Sequence, residues 1–154
     1  MFEVIRSESG RLDLLVNSAW GGHERMVDGG AFTWPAPFWE QPMHRWTGMM
    51  DAGVRATFVC SAHAARLMTP RRRGLIVNIS FWAAQRHLGN TIYGMAKAAT
   101  DKLTSDTAVE LEPFDIPVIS LYPGQVLVAA AVAKEFGVLD IDGKFPPALT
   151  LGEI

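Results

Sequence analysis

The chain has 154 residues, enough for one domain with its own core. Hydrophobic residues make up 49% and charged residues 19%, the balance of a globular chain rather than a disordered or fibrous one. A formal net charge of -2 gives no electrostatic reason to expect a nucleic acid or an anionic membrane as partner.

The opening MFEVIRSESGRLD is charged and has no apolar signal region. Residues 12–19, LDLLVNSA, are a compact apolar run stopped by Asn17, which predicts a strand buried on both faces of a parallel sheet. Residues 20–37 hold Gly21-Gly22, Gly29-Gly30, Pro35 and Pro37, and read as a long loop of the kind that carries function. From about Phe38 to Met68, the residues Trp46, Met49, Met50, Val54, Phe58, Ala62 and Ala65 recur at helical spacing, until Thr69-Pro70 stops the helix. Arg71-Arg72-Arg73, between Pro70 and Gly74, read as a solvated turn.

GLIVNIS (74–80) predicts a second buried strand, and a second long helix spans roughly 91–112. VISLY (118–122) predicts a third buried strand, turned by Pro123-Gly124 into the apolar run 125–133. Residues 1–139 are expected to form the domain and 140–154, with Pro146-Pro147, a tail. Strands alternating with helices of this length imply an α/β fold with a parallel sheet.

The single cysteine, Cys60, cannot close an intramolecular disulfide, so a reducing, cytoplasmic setting is expected. No run is apolar over the length needed to cross a bilayer. His23, His44, His63 and His87 are scattered and no Cys/His spacing suggests a metal site, so none is expected.

Tyr93 and Lys97 lie four apart on the second long helix and therefore share a face. A free phenol ionises near pH 10, and a neighbouring ammonium favours the phenolate, so the two can form a proton-transfer pair. Two tyrosines and four lysines give about 0.05 chance matches to this spacing, so the pair needs context to count. Ser80 supplies it, ending a buried strand 13 positions before Tyr93, where active sites of open α/β sheets lie. Its hydroxyl can hold a carbonyl oxygen or simply cap a loop. Asn17 at its own strand end suits a structural role between adjacent strands.

These residues together resemble the short-chain dehydrogenase/reductase family. Asn17-Ser18-Ala19 resembles the family's N-N-A-G strand end, and Ser80, Tyr93 and Lys97 resemble its catalytic Ser, Tyr and Lys. Leu121-Tyr122-Pro123-Gly124 resembles its P-G turn, and the runs 74–85 and 93–103 are most similar to the family's member-1-like branch. The resemblance implies a partial Rossmann-type doubly wound parallel sheet lacking its first strands. It implies NAD(P)-dependent chemistry on an alcohol or carbonyl substrate. Tyr93 is then the acid/base, Lys97 its tuner and a ribose ligand, and Ser80 the substrate orienter. Asn17, Ala19, Tyr93, Lys97, Pro123 and Gly124 are the expected cofactor-binding positions.

The sequence departs from the family in four places. The T-G-x-x-x-G-x-G turn is not in the chain, which by resemblance begins in the helix before the fourth strand, so binding of NAD or NADP is expected to be weakened or lost. The family's catalytic Asn falls on Gly53. Phe81 stands where a second Ser is usual, so spacing to Tyr93 favours Ser80 while strand alignment favours position 81. After Gly124, Val128 replaces the usual Thr, and either an internal deletion or local divergence accounts for it. In this family two long helices commonly pair with a second copy, and Trp46, Met49, Phe58 and the Ala-rich face of 96–108 suit that role or a core role. A homo-oligomer through these helices is expected, and a non-enzymatic, helix-mediated interaction protein is the alternative to the enzyme.

Overall fold

The computed structural model describes residues 1–22 and 26–124. Met1–Tyr122 form one compact unit. His23, the run 125–133 with Val128, the inferred deletion and the 139/140 boundary lie outside the described residues.

A short helix, α1 (Phe2–Glu8), ends where Gly10 adopts φ +64 and donates its N–H to the Ile5 carbonyl at 3.0 Å. Strand β1 (Leu14–Asn17) follows. The long loop after it contains a two-residue hairpin, β2 (Val27–Asp28) against β3 (Ala31–Phe32). Gly29 and Gly30 turn that hairpin with φ +57 and +82, the paired positive angles a tight two-residue turn requires.

The next helix begins at Met43, not Phe38, because Pro42 has no N–H to continue a helix backwards. Residues Phe38–Glu40 form only a 3-10 turn. The helix runs as α2 (Met43–Met49), a π-helical stretch Met50–Arg55, and α3 (Ala56–Met68). Gly48 of α2 abuts Gly21 of the loop, where a Cβ on Gly21 would lie 2.7 Å from the Gly48 carbonyl oxygen. Strand β4 (Leu75–Ile79), helix α4 (Thr91–Leu111) and strand β5 (Val118–Leu121) complete the unit.

Strands β1, β4 and β5 form one parallel sheet in that order, with helices as the connections. This is a partial Rossmann-type α/β fold. Leu15, Ile76 and Val118 point toward α3 and α4 and join Ala64, Met68, Leu111 and Ile116 in the core.

The expectation of strands buried on both faces holds only for the central β4. Leu14, Val16, Ile119 and Leu121 share the opposite face and are 43–52% exposed. Among the described residues, β1 and β5 are edges of the three-stranded sheet, and α3 and α4 pack on the other face. The helical stripe also divides. Met49 and Ala96 are buried in the core, whereas Trp46 and Phe58 are exposed.

Candidate active site

The site is built at the N-terminus of α4, beside the carboxyl end of β4. Asn90 caps the helix, its side-chain oxygen accepting from the Tyr93 N–H at 2.9 Å. The Asn90 amide nitrogen donates to the Trp34 carbonyl at 2.9 Å and to Gln41 Oε1 at 3.1 Å. Buried Arg45 donates to the Thr33 carbonyl at 2.9 Å, to Thr33 Oγ1 at 2.8 Å and to Gln41 Oε1. The loop segment 33–41 is thereby fixed under the start of α4.

Tyr93 sits in an aromatic cage. Its ring centroid is 5.3 Å from those of Trp20 and Trp34, and 6.4 Å from that of Phe81. Tyr93 and Trp20 also pack on Met49, Ile92 and Ala96. Among the described residues no hydrogen bond reaches the Tyr93 hydroxyl. Burial pushes it up from an ordinary 10.0 to about 12.

The Lys97 Nζ lies 5.8 Å from the centroids of both Tyr93 and Trp20. It donates to the Ile79 carbonyl at 3.1 Å. Burial draws the ammonium below its ordinary value, with Asp101 acting in the opposite sense. The sequence argument gave Lys97 the larger hold on Tyr93, through charge. In the structure desolvation governs both groups, because apolar rings surround the phenol.

Ser80 is 1% exposed, and its Oγ donates to the Lys97 carbonyl oxygen at 3.4 Å rather than to Tyr93. Phe81 supplies the side chain that meets the Tyr93 ring. The Asn17 amide is spent internally, donating to Ser61 Oγ at 3.0 Å and Asn78 Oδ1 at 2.8 Å. Ala19 lines a cavity of about 10 Å³ with Trp20, Gly53, Thr57 and Lys97, room for one water. Gly124 holds φ +73, as a P-G turn needs.

A family model described as short chain dehydrogenase matches residues 1–136. The chain belongs to the short-chain dehydrogenase family. It is 40% identical over 134 residues to the mouse protein "Dehydrogenase/reductase SDR family member 1", covering 87% of this chain and 41% of that protein. The chain thus spans less than half the length of the curated relative it matches. Among solved structures, it resembles acetoin dehydrogenase from Enterobacter cloacae at 31% identity and TM-score 0.66, over 84% of this chain and 49% of that one. It also resembles a 7α-hydroxysteroid dehydrogenase complexed with NADH and 7-oxo glycochenodeoxycholic acid. There the identity is 30% and the TM-score 0.64, over 80% of this chain and 44% of that one.

Gly53, the position that the sequence resemblance aligns with the family's Asn, lies inside the π-helical stretch. A Cβ there would be 3.4 Å from the Trp20 Cδ1 atom. The indole therefore lies in contact range of any side chain at position 53. Sequence reading noticed Gly53 and passed over Trp20. It also missed Trp34, Gln41, Arg45 and Asn90, which place Tyr93. The one available signal was Asn90, three residues before Tyr93 and at the predicted start of a helix. Among the described residues no helix is long and apolar enough to cross a membrane, and no group of three His, Cys, Asp or Glu could hold a metal.

Proposed function

We propose that this chain carries the proton-transfer half of an NAD(P)-dependent oxidoreductase acting on a small alcohol or carbonyl, with weakened nucleotide binding. The observation that carries the reading is the half-buried Lys97 ammonium beside the Tyr93 ring at the carboxyl end of β4. With its hydroxyl pushed up to about 12, Tyr93 is protonated at neutral pH and is a proton donor to a carbonyl oxygen rather than a base.

The donor set fits the nicotinamide-ribose end of the cofactor. Lys97 uses one N–H on Ile79 and keeps two for ribose hydroxyls, and Tyr93 stands beside it. The bound nicotinamide would supply the hydride chemistry. Asn17 holds β1, β4 and α3 in register beneath this end. Ser80 orients substrate if its Oγ rotates from the Lys97 carbonyl toward Tyr93. The weak binding is ascribed to Trp20, whose ring packs against Tyr93 and lines with Lys97 a cavity of about 10 Å³. Trp20→Ala should tighten NADH binding several-fold in a fluorescence titration and leave the fold intact. Carbonyl-dependent NADH oxidation should vanish in Tyr93→Phe, and turnover that survives that change would refute the assignment.

A second reading rests on Trp46, Phe58 and Val59, which are 38–56% exposed on α2 and α3. In it, the helices associate with a second copy or a full-length relative. Light scattering that finds only monomer at high concentration counts against it.

A further inference from the structure

We propose that Asp101 is a positioning residue for the Tyr93–Lys97 pair: a carboxylate clamped by Ser120 and Tyr122 that presents a fixed negative charge one helical turn beyond the Lys97 ammonium. The proposal rests on the functional reading above and extends it by one residue.

Tyr93, Lys97 and Asp101 are spaced four apart on α4 and follow one face of the helix. Asp101 does not reach Lys97 as an ion pair within 4.0 Å. Its Oδ1 accepts from Ser120 Oγ at 2.9 Å, and its Oδ2 accepts from the Tyr122 hydroxyl. Tyr122 is itself set in place by Gln85 Nε2, which donates to its hydroxyl at 3.3 Å, and by the Trp82 ring at 5.2 Å. Ser120 Oγ also lies 3.1 Å from Thr104 Oγ1. The carboxylate is thus oriented from β5 and from the residue that follows it, not from its own helix.

This arrangement answers a difficulty in the site. A half-buried ammonium beside two aromatic rings, with a single carbonyl acceptor among the described residues, is costly to keep charged. A free Asp four residues on could pair with it directly and take the N–H groups that ribose hydroxyls need. The Ser120–Tyr122 clamp holds the charge near while leaving those donors open. The groups facing Lys97 are few. Tyr93 and Asp101 come from its own helix, and β4 contributes the Ile79 carbonyl. The loop after β1 brings the Trp20 ring, and the π-helical stretch brings Gly53 and Val54. Among the described residues, Asp101 is the only carboxylate in this set, and Tyr122 is the only other titratable group bonded to it.

The test needs neither nucleotide nor turnover, so its failure is separable from failure of the functional reading. The chain carries four lysines, Lys97, Lys102, Lys134 and Lys144. Lysine labelled at Cε and Nζ gives four resolvable NMR titrations, assigned with Lys97→Arg. In Asp101→Asn the Lys97 midpoint should fall by about half a unit or more, and in Asp101→Glu by less. Tyr122→Phe, which keeps the charge and loosens the clamp, should move Lys97 less than Asp101→Asn does. A Lys97 midpoint unchanged in folded Asp101→Asn overturns the proposal. If that variant does not fold, the wild type suffices. Acid titration should show a Lys97 inflection at the pH where the Asp101 carboxyl carbon titrates, and its absence overturns the proposal equally.

Discussion

The two ends of one helical face in α4 are built on opposite principles. From Thr100 onward the face is polar and its hydrogen bonds are closed. Asn78 donates to Thr104 at 2.9 Å, Asn17 donates to Asn78, and Ser120 bridges Thr104 to Asp101. Thr100 and Thr104 also return their hydroxyl protons to the carbonyls of Ala96 and Thr100, which lets β-branched polar residues sit inside a helix. At the N-terminal end, Tyr93 and Lys97 are ionisable groups set among Trp20, Trp34 and Phe81, and among the described residues their side chains make a single hydrogen bond, from Lys97 to the Ile79 carbonyl. A satisfied buried network makes a rigid mount. Desolvated, sparsely bonded titratable groups are what chemistry uses.

The largest effect should come from breaking the mount. Asn78 is fully buried and joins β1 to α4 through both ends of its amide. Asn78→Ala strands the Asn17 amide and the Thr104 hydroxyl, and should cost about 2–4 kcal/mol. Urea denaturation measures it. A loss below about 1 kcal/mol would mean that the ladder is ornamental and the contrast with the cage false.

An intermediate effect belongs to the cage. Tyr93→Phe removes a hydroxyl that makes no hydrogen bond among the described residues, so stability near neutral pH should change by only about 0.5 kcal/mol. The alkaline behaviour should change more clearly. The phenol is raised in the folded chain, so its contribution is complete below pH 10 and is lost as pH climbs toward about 12. Tyr93→Phe should flatten the stability decline across that window, read by denaturation at several pH values. A wild-type curve already flat there would show that the phenol is not desolvated.

Sequence legibility follows the same division. The strands, the long helices and the Tyr93–Lys97 spacing were readable because periodicity and i,i+4 geometry are local. The ladder was partly readable: Asn17 at a strand end suggested a tie between strands, but its partners Ser61 and Asn78 lie 44 and 61 residues away. The cage was hidden, since Trp20 and Trp34 fall in a Gly- and Pro-rich loop with no period to betray where their rings go. The sidedness of β1 was hidden too. An apolar run such as LDLLV looks the same whether one face or both are covered, and Leu14 and Val16 are exposed.

The smallest effect, and the finest test of the contrast, concerns the residue at the boundary. Lys97→Met keeps the length and apolar stem of the side chain and removes a half-buried ammonium. Lost are the bond to Ile79 and the attraction to two aromatic rings; relieved is the desolvation of the charge. These oppose one another, so stability at neutral pH should move by less than about 1 kcal/mol. The pH dependence separates them. Because the folded-state value is lowered, the penalty is present while Lys97 is charged in both states, and it disappears as pH rises through the lowered value toward 10.5. Wild type should therefore gain stability on Lys97→Met as pH approaches 10.5, while the Tyr93 phenol, common to both proteins, drops out of the difference. A difference between the two proteins that stays constant over that range would place the Lys97 ammonium in water, and the cage would then be no different from the polar face beyond it.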